Sequence, residues 1–275
     1  MSSKCSCKNL GESEKMAVKI AISNAKGGVG KTTTAITLAQ NLKRRKKKVL
    51  IIDADPQCNT TRFYSAATED TATMEDILCS NDTLAEECIQ HLEYGDIIPC
   101  ENELHDAENM IHADDYRSLH LKRAGKNLDS MYDYIIIDTP PAAGVILRNV
   151  LAFTDYVIIP VQESGWSLDG LMTYYESTIQ QSLDVTNPNL KIAGILIVMS
   201  KPRTNESKRI REMAESLAEK IGTKVFDTSI RTSVKVTESL TDFCVPLHDF
   251  APGCTADEDY EAFTKEVLKL TSKNK

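Results

Sequence analysis

Short apolar runs recur along the chain, and longer segments with helical spacing of apolar residues separate them. The runs predicted as buried strands are 18–22, 49–53, 96–99, 134–138, 156–161 and 191–199. The segments predicted as helices are 35–45, 102–129, 146–153, 168–184 and 204–221. Continuously apolar strands are covered on both faces, and strands that alternate with helices form a parallel sheet. The pattern therefore predicts an α/β fold, in which a mostly parallel twisted sheet carries helices on both faces.

No internal repeat or linker interrupts this pattern, so we expect a single domain over residues 16–275. Residues 1–15 are polar and precede the first strand, and we expect them to form a disordered tail. They lack the apolar stretch of a secretory signal, and no apolar run in the chain approaches the ~20 residues of a membrane span. We therefore expect a cytoplasmic protein whose eight cysteines are reduced.

Charge is distributed unevenly along the 275 residues, whose formal net charge is -8. The segment 63–116 contains fifteen Asp or Glu and no Lys or Arg, which leaves 25 acidic residues against 32 basic ones elsewhere. Outside that segment the chain is thus positive by seven charges. The overall acidity therefore does not exclude a nucleic-acid partner.

A glycine-rich loop joins the first predicted strand to the first predicted helix. Residues 25–32 read AKGGVGKT, which is the spacing of a phosphate-binding loop at the junction where such loops occur. Its glycines let backbone N–H groups face phosphate oxygens, Lys31 can neutralise the β and γ phosphates, and the Thr32 hydroxyl can ligate Mg²⁺. A purely structural turn does not account for Gly-Lys-Thr in this register. The predicted nucleotide contacts in the loop are Lys26, Gly27, Gly28, Val29, Gly30, Lys31, Thr32 and Thr33.

Residues 26–33, KGGVGKTT, resemble the deviant Walker A sequence of the ParA and MinD family of ATPases. The resemblance extends from residue 17 to about residue 270. It implies ATP and Mg²⁺ as cofactors, weak intrinsic ATP hydrolysis, and a sandwich homodimer that forms when ATP binds. It also implies that Lys26 reaches across the dimer interface to the nucleotide of the partner subunit, while Lys31 acts on its own nucleotide.

Two carboxylate motifs extend the resemblance. Residues 49–59, VLIIDADPQCN, are similar to the family's DxDPQGN segment, with Cys58 in place of the usual glycine. The resemblance implies that Asp55 orients or deprotonates the attacking water and that Asp53 lies nearer the Mg²⁺ shell. Residues 134–141, YIIIDTPP, resemble the Walker B strand, whose carboxylate, here Asp138, holds Mg²⁺ through water. A helix cap is the alternative interpretation of Asp138.

Three further positions follow from the same resemblance. Arg203 and Arg231 match arginines that contribute to nonspecific DNA binding in partition ATPases, although a solvated basic face is the alternative. Met199 matches a position near the adenine ring, and core packing is an equally good interpretation. The basic run 43–48 lies at the helix end farthest from the phosphate loop, so we do not assign it to DNA.

The leading functional hypothesis is a DNA partition ATPase of the ParA and Soj type. ATP binding would drive dimerisation and nonspecific binding to nucleoid DNA, and a ParB-like centromere-binding adaptor would stimulate hydrolysis and release. The alternative is a membrane-associated positioning ATPase of the MinD type, which needs an amphipathic tail after the last core helix. That helix is predicted around the stripe of residues 260, 263, 267 and 270, so we expect no membrane partner. The acidic segment 63–116 should face away from DNA, either as a docking surface for a basic partner or as a solvated face.

Overall fold

The computed structural model describes residues 16–101, 104, 118–163, 168–201 and 204–272. The predicted tail 1–15 and most of the first half of the predicted helix 102–129 lie outside these ranges. Among the described residues no helix has the length and apolar character needed to cross a membrane.

Within the described residues, seven strands form one sheet in the order β3-β4-β2-β5-β1-β6-β7. They are β1 (Val18–Ile22), β2 (Val49–Asp53), β3 (Gln90–Leu92), β4 (Gly95–Ile98), β5 (Tyr134–Asp138), β6 (Tyr156–Gln162) and β7 (Lys191–Val198). Neighbouring strands are parallel except for the pair β3 and β4. The predicted mostly parallel α/β sheet is therefore confirmed.

The helices of the described residues connect these strands or follow the last of them. They are α1 (Lys31–Arg44), α2 (Asn59–Tyr64), α3 (Met74–Cys79), α4 (His120–Ala124), α5 (Leu128–Met131), α6 (Val145–Phe153), α7 (Leu168–Tyr174), α8 (Gln181–Val185), α9 (Asn205–Lys220), α10 (Val234–Thr237), α11 (Leu247–Phe250) and α12 (Thr255–Ser272). Short 3₁₀ turns lie at Ala85–Cys88 and Gly125–Asn127, and π-helical turns lie at Tyr175–Gln180 and Glu238–Asp242.

Apolar side chains fill both faces of the sheet, as the continuous apolar strands require. All five residues of β1 are buried, and its side chains alternate between faces. Ile20 and Ile22 pack in the core that also holds α1 and α12, whereas Ala21 packs in the core beneath α6. The predicted last core helix is confirmed as α12, whose Tyr260 and Phe263 are fully buried.

Two sequence predictions about the fold were wrong in detail. The strand β3 was not predicted because it has three residues, none of them buried, and it pairs only at the sheet edge. The described part of the predicted helix 102–129 is broken into α4, a 3₁₀ turn and α5 rather than continuous. Both errors arise because tertiary packing decides the structure of short segments whose local pattern is weak.

The acidic segment 63–116 and Arg231, one of the two arginines predicted to bind DNA, lie at opposite edges of the sheet. Strands β3 and β4, which belong to the acidic segment, form one edge, and β7 forms the other. Ser200, just after β7, forms a parallel bridge with Arg231. The described part of the acidic segment is thus separated from Arg231 by the width of the sheet.

Candidate functional site

The glycine-rich loop leaves the carboxyl end of β1 and forms an open turn before α1. Gly28 and Gly30 have φ values of 72° and 74°, a conformation that L side chains rarely adopt. A Cβ atom added at Gly27 or Gly28 would meet no atom within 4 Å, so this side of the loop is open. Val29 points the other way and is buried. The loop therefore combines a fixed backbone with a free concave face, which is what a phosphate-binding turn requires.

Two lysines flank the open face in different environments. The Nζ atom of Lys31 donates a hydrogen bond to the backbone oxygen of Lys26 at 3.2 Å. Burial lowers the pKa of Lys31, and the nearby carboxylates of Asp138 and Asp55 oppose that effect. The side chain of Lys26 is exposed. Lys31 thus faces its own site, whereas Lys26 extends to the surface.

The sheet register brings two motif carboxylates side by side. Asp138 at the end of β5 is level with Asp53 at the end of β2 and with Ile22 at the end of β1. Thr60 donates a hydrogen bond to Oδ2 of Asp138 at 2.9 Å, while Oδ1 is buried and has no hydrogen-bond partner. Burial raises the pKa of Asp138 to about 8, with the charge of Asp53 adding to the rise. An orphaned acceptor of this kind is suited to a cation or a cation-bound water.

Both carboxylate oxygens of Asp53 accept hydrogen bonds from the residues that follow β2. Its Oδ2 accepts hydrogen bonds from the backbone N–H and the hydroxyl of Thr61 at 2.7 and 2.8 Å, and its Oδ1 accepts one from Asp55 N at 3.2 Å. Burial raises the pKa of Asp53 to about 6, and the hydrogen bonds from Thr61 work against that rise. Asp53 thereby holds the loop from residue 54 to 61 in place, and its role as a metal ligand stays a prediction.

Asp55 lies near the start of this loop and lines a cavity at the phosphate loop. Its Oδ1 accepts a hydrogen bond from the backbone N–H of Gln57 at 3.1 Å, and only 6% of the residue is exposed. Cys58 follows with a φ of 52°, the left-handed conformation in which the motif usually has glycine. The loop keeps that conformation with a side chain present, at a cost of roughly 1–2 kcal/mol for the left-handed backbone.

Two cavities that share Gly30, Thr33 and Met199 in their linings lie at the phosphate loop. The first has a volume of about 350 Å³ and includes the loop glycines, Lys31, Asp55 and Met199. The second, of about 180 Å³, lies between Met199, Ile230 and Tyr260 and is more apolar. Met199 is 37% exposed and lines both cavities, so it is not a core residue. Its contact with adenine stays a prediction.

Magnesium fits this site only if phosphate oxygens complete its coordination. Within the described ranges no three His, Cys, Asp or Glu side chains are grouped to hold a metal ion. Asp138 and Thr32 are close enough for the threonine hydroxyl to lower the carboxyl pKa. One carboxylate and one hydroxyl, together with nucleotide phosphates and water, are a usual environment for Mg²⁺. Thr32 and Asp138 are therefore the residues that fit the ion.

Of the two arginines predicted to bind DNA, the structure describes only Arg231. Arg203 lies outside the described residues. Arg231 makes two hydrogen bonds with the carboxylate of Asp259 and a longer ion pair with Glu258. In the neighbouring helix α9, Lys208 and Arg209 are exposed on the side away from the core. Contact with DNA stays a prediction for both predicted arginines.

Sequence analysis missed several residues that position the motifs. Thr60 and Thr61 hold Asp138 and Asp53, as described above. Asn24 donates to the backbone oxygen of Pro160 at 2.7 Å and accepts from Lys26 N at 3.0 Å, so it ties the phosphate loop to β6. A buried polar residue directly beside a motif was the signal that could have identified each of them.

Comparison with known proteins shows similarity along most of the chain. A family model described as an AAA domain matches residues 17–192. The chromosome partitioning protein ParA of Myxococcus xanthus is 36% identical over 258 residues, which cover 91% of this chain and 87% of that protein.

Solved structures show the same fold. A Cyanothece McdA variant in complex with ATP has a TM-score of 0.81 and 26% identity, covering 93% of this chain and 97% of that one. Cobyrinic acid a,c-diamide synthase from Mycobacterium smegmatis, with ADP and magnesium, has a TM-score of 0.80 and 25% identity, covering 94% and 97%. The fold thus serves proteins whose names describe different tasks.

Proposed function

Because this chain belongs to the ParA family of P-loop ATPases, we propose that it is a partition ATPase that binds DNA as an ATP-dependent dimer. The observation that carries the proposal is the open loop of Gly27 and Gly28, with Lys31 beneath it and the unpartnered buried oxygen of Asp138 beside it. These groups form a site for a magnesium nucleotide. The similarity to ParA over nine-tenths of the chain supports the cellular role.

In this proposal the loop residues 27–33 bind the phosphates and Met199 packs against the base. Mg²⁺, when bound, would supply positive charge that neutralises the phosphates. Thr32 and Asp138 would hold the ion, and Thr60 keeps the Asp138 carboxylate in position. The depressed pKa of Lys31 reflects its burial, and a nucleotide phosphate would favour the charged form again.

Hydrolysis requires a water in line with the γ phosphate, and Asp55 is the residue that we assign to it. Asp55 lines the phosphate cavity, and its loop is fixed by the hydrogen bonds to Asp53. Positioning supplies most of the catalysis in phosphoryl transfer. Asp55 therefore orients the water, and a slow intrinsic rate is expected until an adaptor completes the site.

The exposed side chain of Lys26 supports the dimer in this proposal. Lys31 Nζ is anchored on the backbone oxygen of Lys26, while the side chain of Lys26 itself is exposed at the mouth of the site and can extend to a second subunit. Arg231 and Arg203 would then bind nonspecifically to DNA of the nucleoid from both subunits, and a ParB-like adaptor would trigger release. Doubling the cationic contacts explains why DNA binding should need ATP.

The experiment that tests the function compares retention on DNA-coated and liposome-coated beads with ATP, ADP or no nucleotide. We expect retention on DNA with ATP only. Retention on liposomes alone would favour the MinD-like positioning alternative. Failure to bind either surface, with normal ATP-dependent dimerisation, would contradict the DNA role and leave the ATPase assignment intact.

A further inference from the structure

Two cysteines lie in or beside the loop that contains Asp55, and the proposed ATPase cycle uses neither of them. Cys58 is partly buried and lies directly before α2, three residues after Asp55. Cys100 is fully buried and follows β4 on the neighbouring part of the sheet. The chain thus places one partly buried and one fully buried cysteine on two segments that are 42 positions apart in sequence.

The contacts of the two residues converge on one atom. The backbone N–H of Cys58 donates to the backbone oxygen of Asp55 at 2.8 Å, and the thiol of Cys100 lies 3.3 Å from the same oxygen. The thiol of Cys58 donates to the backbone oxygen of Pro56, the next carbonyl of the same loop, at 3.5 Å, and the Cys58 side chain is near enough to raise the pKa of the Cys100 thiol. A disulfide needs its two Cβ atoms about 3.5–4.5 Å apart. Because the two thiols lie on consecutive carbonyls of one loop, a small movement of that loop brings the two residues into that range.

We propose that Cys58 and Cys100 are a peroxide-sensitive dithiol that closes to a disulfide and slows ATP hydrolysis by displacing Asp55. The inference rests on the proposed function only for its effect on hydrolysis. The disulfide itself can be tested whether or not the chain hydrolyses ATP.

The reaction balances with a peroxide as the oxidant. Cys58, as its thiolate, attacks one peroxide oxygen and becomes a sulfenic acid while the O–O bond breaks and the first water leaves. The sulfur of Cys100 then attacks the sulfur of Cys58, the S–S bond forms, and the second water leaves. Together the two thiols lose two electrons and two protons, and hydrogen peroxide is reduced to two molecules of water.

The surroundings determine the order of the two steps. The neighbouring Cys58 side chain and burial both raise the pKa of the Cys100 thiol, so it forms little thiolate. Cys58 is the more accessible of the two residues, and the oxidation of a thiol follows its exposure. Cys58 is therefore the first residue oxidised, and Cys100 resolves the sulfenic acid.

Disulfide formation should displace Asp55, because a backbone hydrogen bond joins Cys58 to that residue. The S–S bond is about 2.05 Å long, much shorter than any contact between two unbonded sulfur atoms, so Cys58 must move towards Cys100. The backbone hydrogen bond between Cys58 and Asp55 carries that movement to the carboxylate. Hydrolysis should fall about tenfold, since a misplacement of about 1 Å in a reacting group can cost as much as 10²-fold.

The test uses the full chain, treated with hydrogen peroxide and then with or without dithiothreitol. Trypsin cannot map the product, because residues 63–116 contain no Lys or Arg and Cys79, Cys88 and Cys100 stay in one peptide. A glutamate-specific protease separates them by cleaving at Glu87, Glu93 and Glu101. We expect a disulfide between the peptides of Cys58 and Cys100, slower hydrolysis, and recovery of both with dithiothreitol.

Variants separate the switch from general oxidative damage. The Cys58→Ser, Cys58→Gly and Cys100→Ser proteins should each show the same ATPase rate before and after peroxide, whereas Cys79→Ser should respond like the parent protein. Absence of the mapped disulfide overturns the proposal. A disulfide with unchanged hydrolysis overturns the switch and leaves the proposed ATPase function standing.

Discussion

Arg231 and Asp259 form a bidentate pair at the edge of the fold. The Nε atom of Arg231 donates to Oδ2 of Asp259 at 2.8 Å, and Nη2 donates to Oδ1 at 2.7 Å. The backbone N–H of Arg231 donates to Oδ2 at 2.9 Å as well. The side chain of Arg231 is 36% exposed and that of Asp259 is 13% exposed. A DNA phosphate would compete with Asp259 for the same donors.

This competition makes Asp259 a test of the DNA role of Arg231. In Asp259→Asn the amide oxygen can still accept the backbone N–H, but the negative charge that holds the guanidinium is gone. We expect higher DNA affinity in the presence of ATP. Arg231→Ala should lower the affinity for any sequence and reduce the slope of log affinity against log salt by about 0.9 for each phosphate that is no longer neutralised. Fluorescence anisotropy at several salt concentrations measures both.

Lys48→Ala serves as the control, because Lys48 is exposed and belongs to the basic run far from the site. It should leave the salt dependence unchanged. If Asp259→Asn and Arg231→Ala lower the unfolding free energy but leave DNA binding as it was, the pair is structural and Arg231 does not contact DNA. Arg203→Ala should behave like Arg231→Ala.

The two lysines of the phosphate loop should have separable defects. Lys31→Ala should abolish nucleotide binding, because it removes the buried cation of the site. Lys26→Ala should keep nucleotide binding by the monomer and lose ATP-dependent dimerisation and stimulated hydrolysis. Binding of a fluorescent ATP analogue and light scattering after gel filtration distinguish the two.

An exposed lysine at the other end of β1 provides the matched control. Lys126 is exposed, and its neighbourhood is tied to the start of β1 by the hydrogen bond from Ala17 N to Asp129 O. Lys126→Ala should dimerise like the parent. A Lys26→Ala protein that dimerises and hydrolyses ATP normally would show that this lysine does not act across the interface.

Asp55→Ala should trap the ATP-bound dimer. The phosphate loop, Thr32 and Asp138 are intact in this variant, while the attacking water loses the carboxylate that orients it. We expect ATP-dependent dimers that persist in gel filtration while phosphate release falls at least about 10²-fold. Wild-type turnover in Asp55→Ala would contradict the assignment.

Removal of magnesium should weaken nucleotide binding. Asp138 should account for most of this magnesium dependence. Chelation with EDTA should lower the ATP affinity of the parent protein, and Asp138→Asn should make that affinity low and nearly independent of magnesium. Without nucleotide the Asn variant should be at least as stable as the parent, because burial and Asp53 both disfavour the charged carboxylate. Titration calorimetry and urea unfolding test the two parts. If the Asp138→Asn protein kept the full magnesium dependence of the parent, a residue other than Asp138 would hold the ion.

Thr61→Val tests the positioning role of Asp53. The variant removes one of the three hydrogen bonds to that carboxylate, and Thr61 Oγ1 also accepts the backbone N–H of Cys100 at 2.9 Å. The unfolding free energy should fall by about 1–3 kcal/mol, the cost of leaving buried polar groups unsatisfied. Urea denaturation without nucleotide measures the loss. A fall below the error of the method would mean that the loop does not depend on this contact.

Neutralising acidic residues should leave DNA affinity nearly unchanged. Glu86 and Glu87 lie in the 3₁₀ turn before β3, at the sheet edge opposite β7. Replacing them, together with Glu101 and Glu103, by Gln removes four negative charges from that segment. A large gain in DNA affinity, measured by anisotropy, would place the segment beside the DNA and contradict the orientation.

The sequence by itself determined six of the seven described strands, the phosphate loop and the family, because each depends on local information. Apolar runs of strand length need cover on both faces, and Gly28 and Gly30 occupy the two positive-φ positions of the loop. The left-handed backbone at Cys58 likewise agrees with the glycine that is usual there. The spacing of these residues along the chain was enough to predict the chemistry near the phosphates.

Only the tertiary structure decided how distant side chains share their contacts. The register of β2, β5 and β1 brings Asp53 and Asp138 together, and three hydrogen bonds commit Asp53 to its loop. Arg231 pairs with Asp259 on α12, and the thiol of Cys100 contacts the backbone oxygen of Asp55 in the loop that also holds Cys58. The physical reason is that hydrogen bonds, burial and charge depend on separation in space, which a motif does not state for residues far apart in the chain.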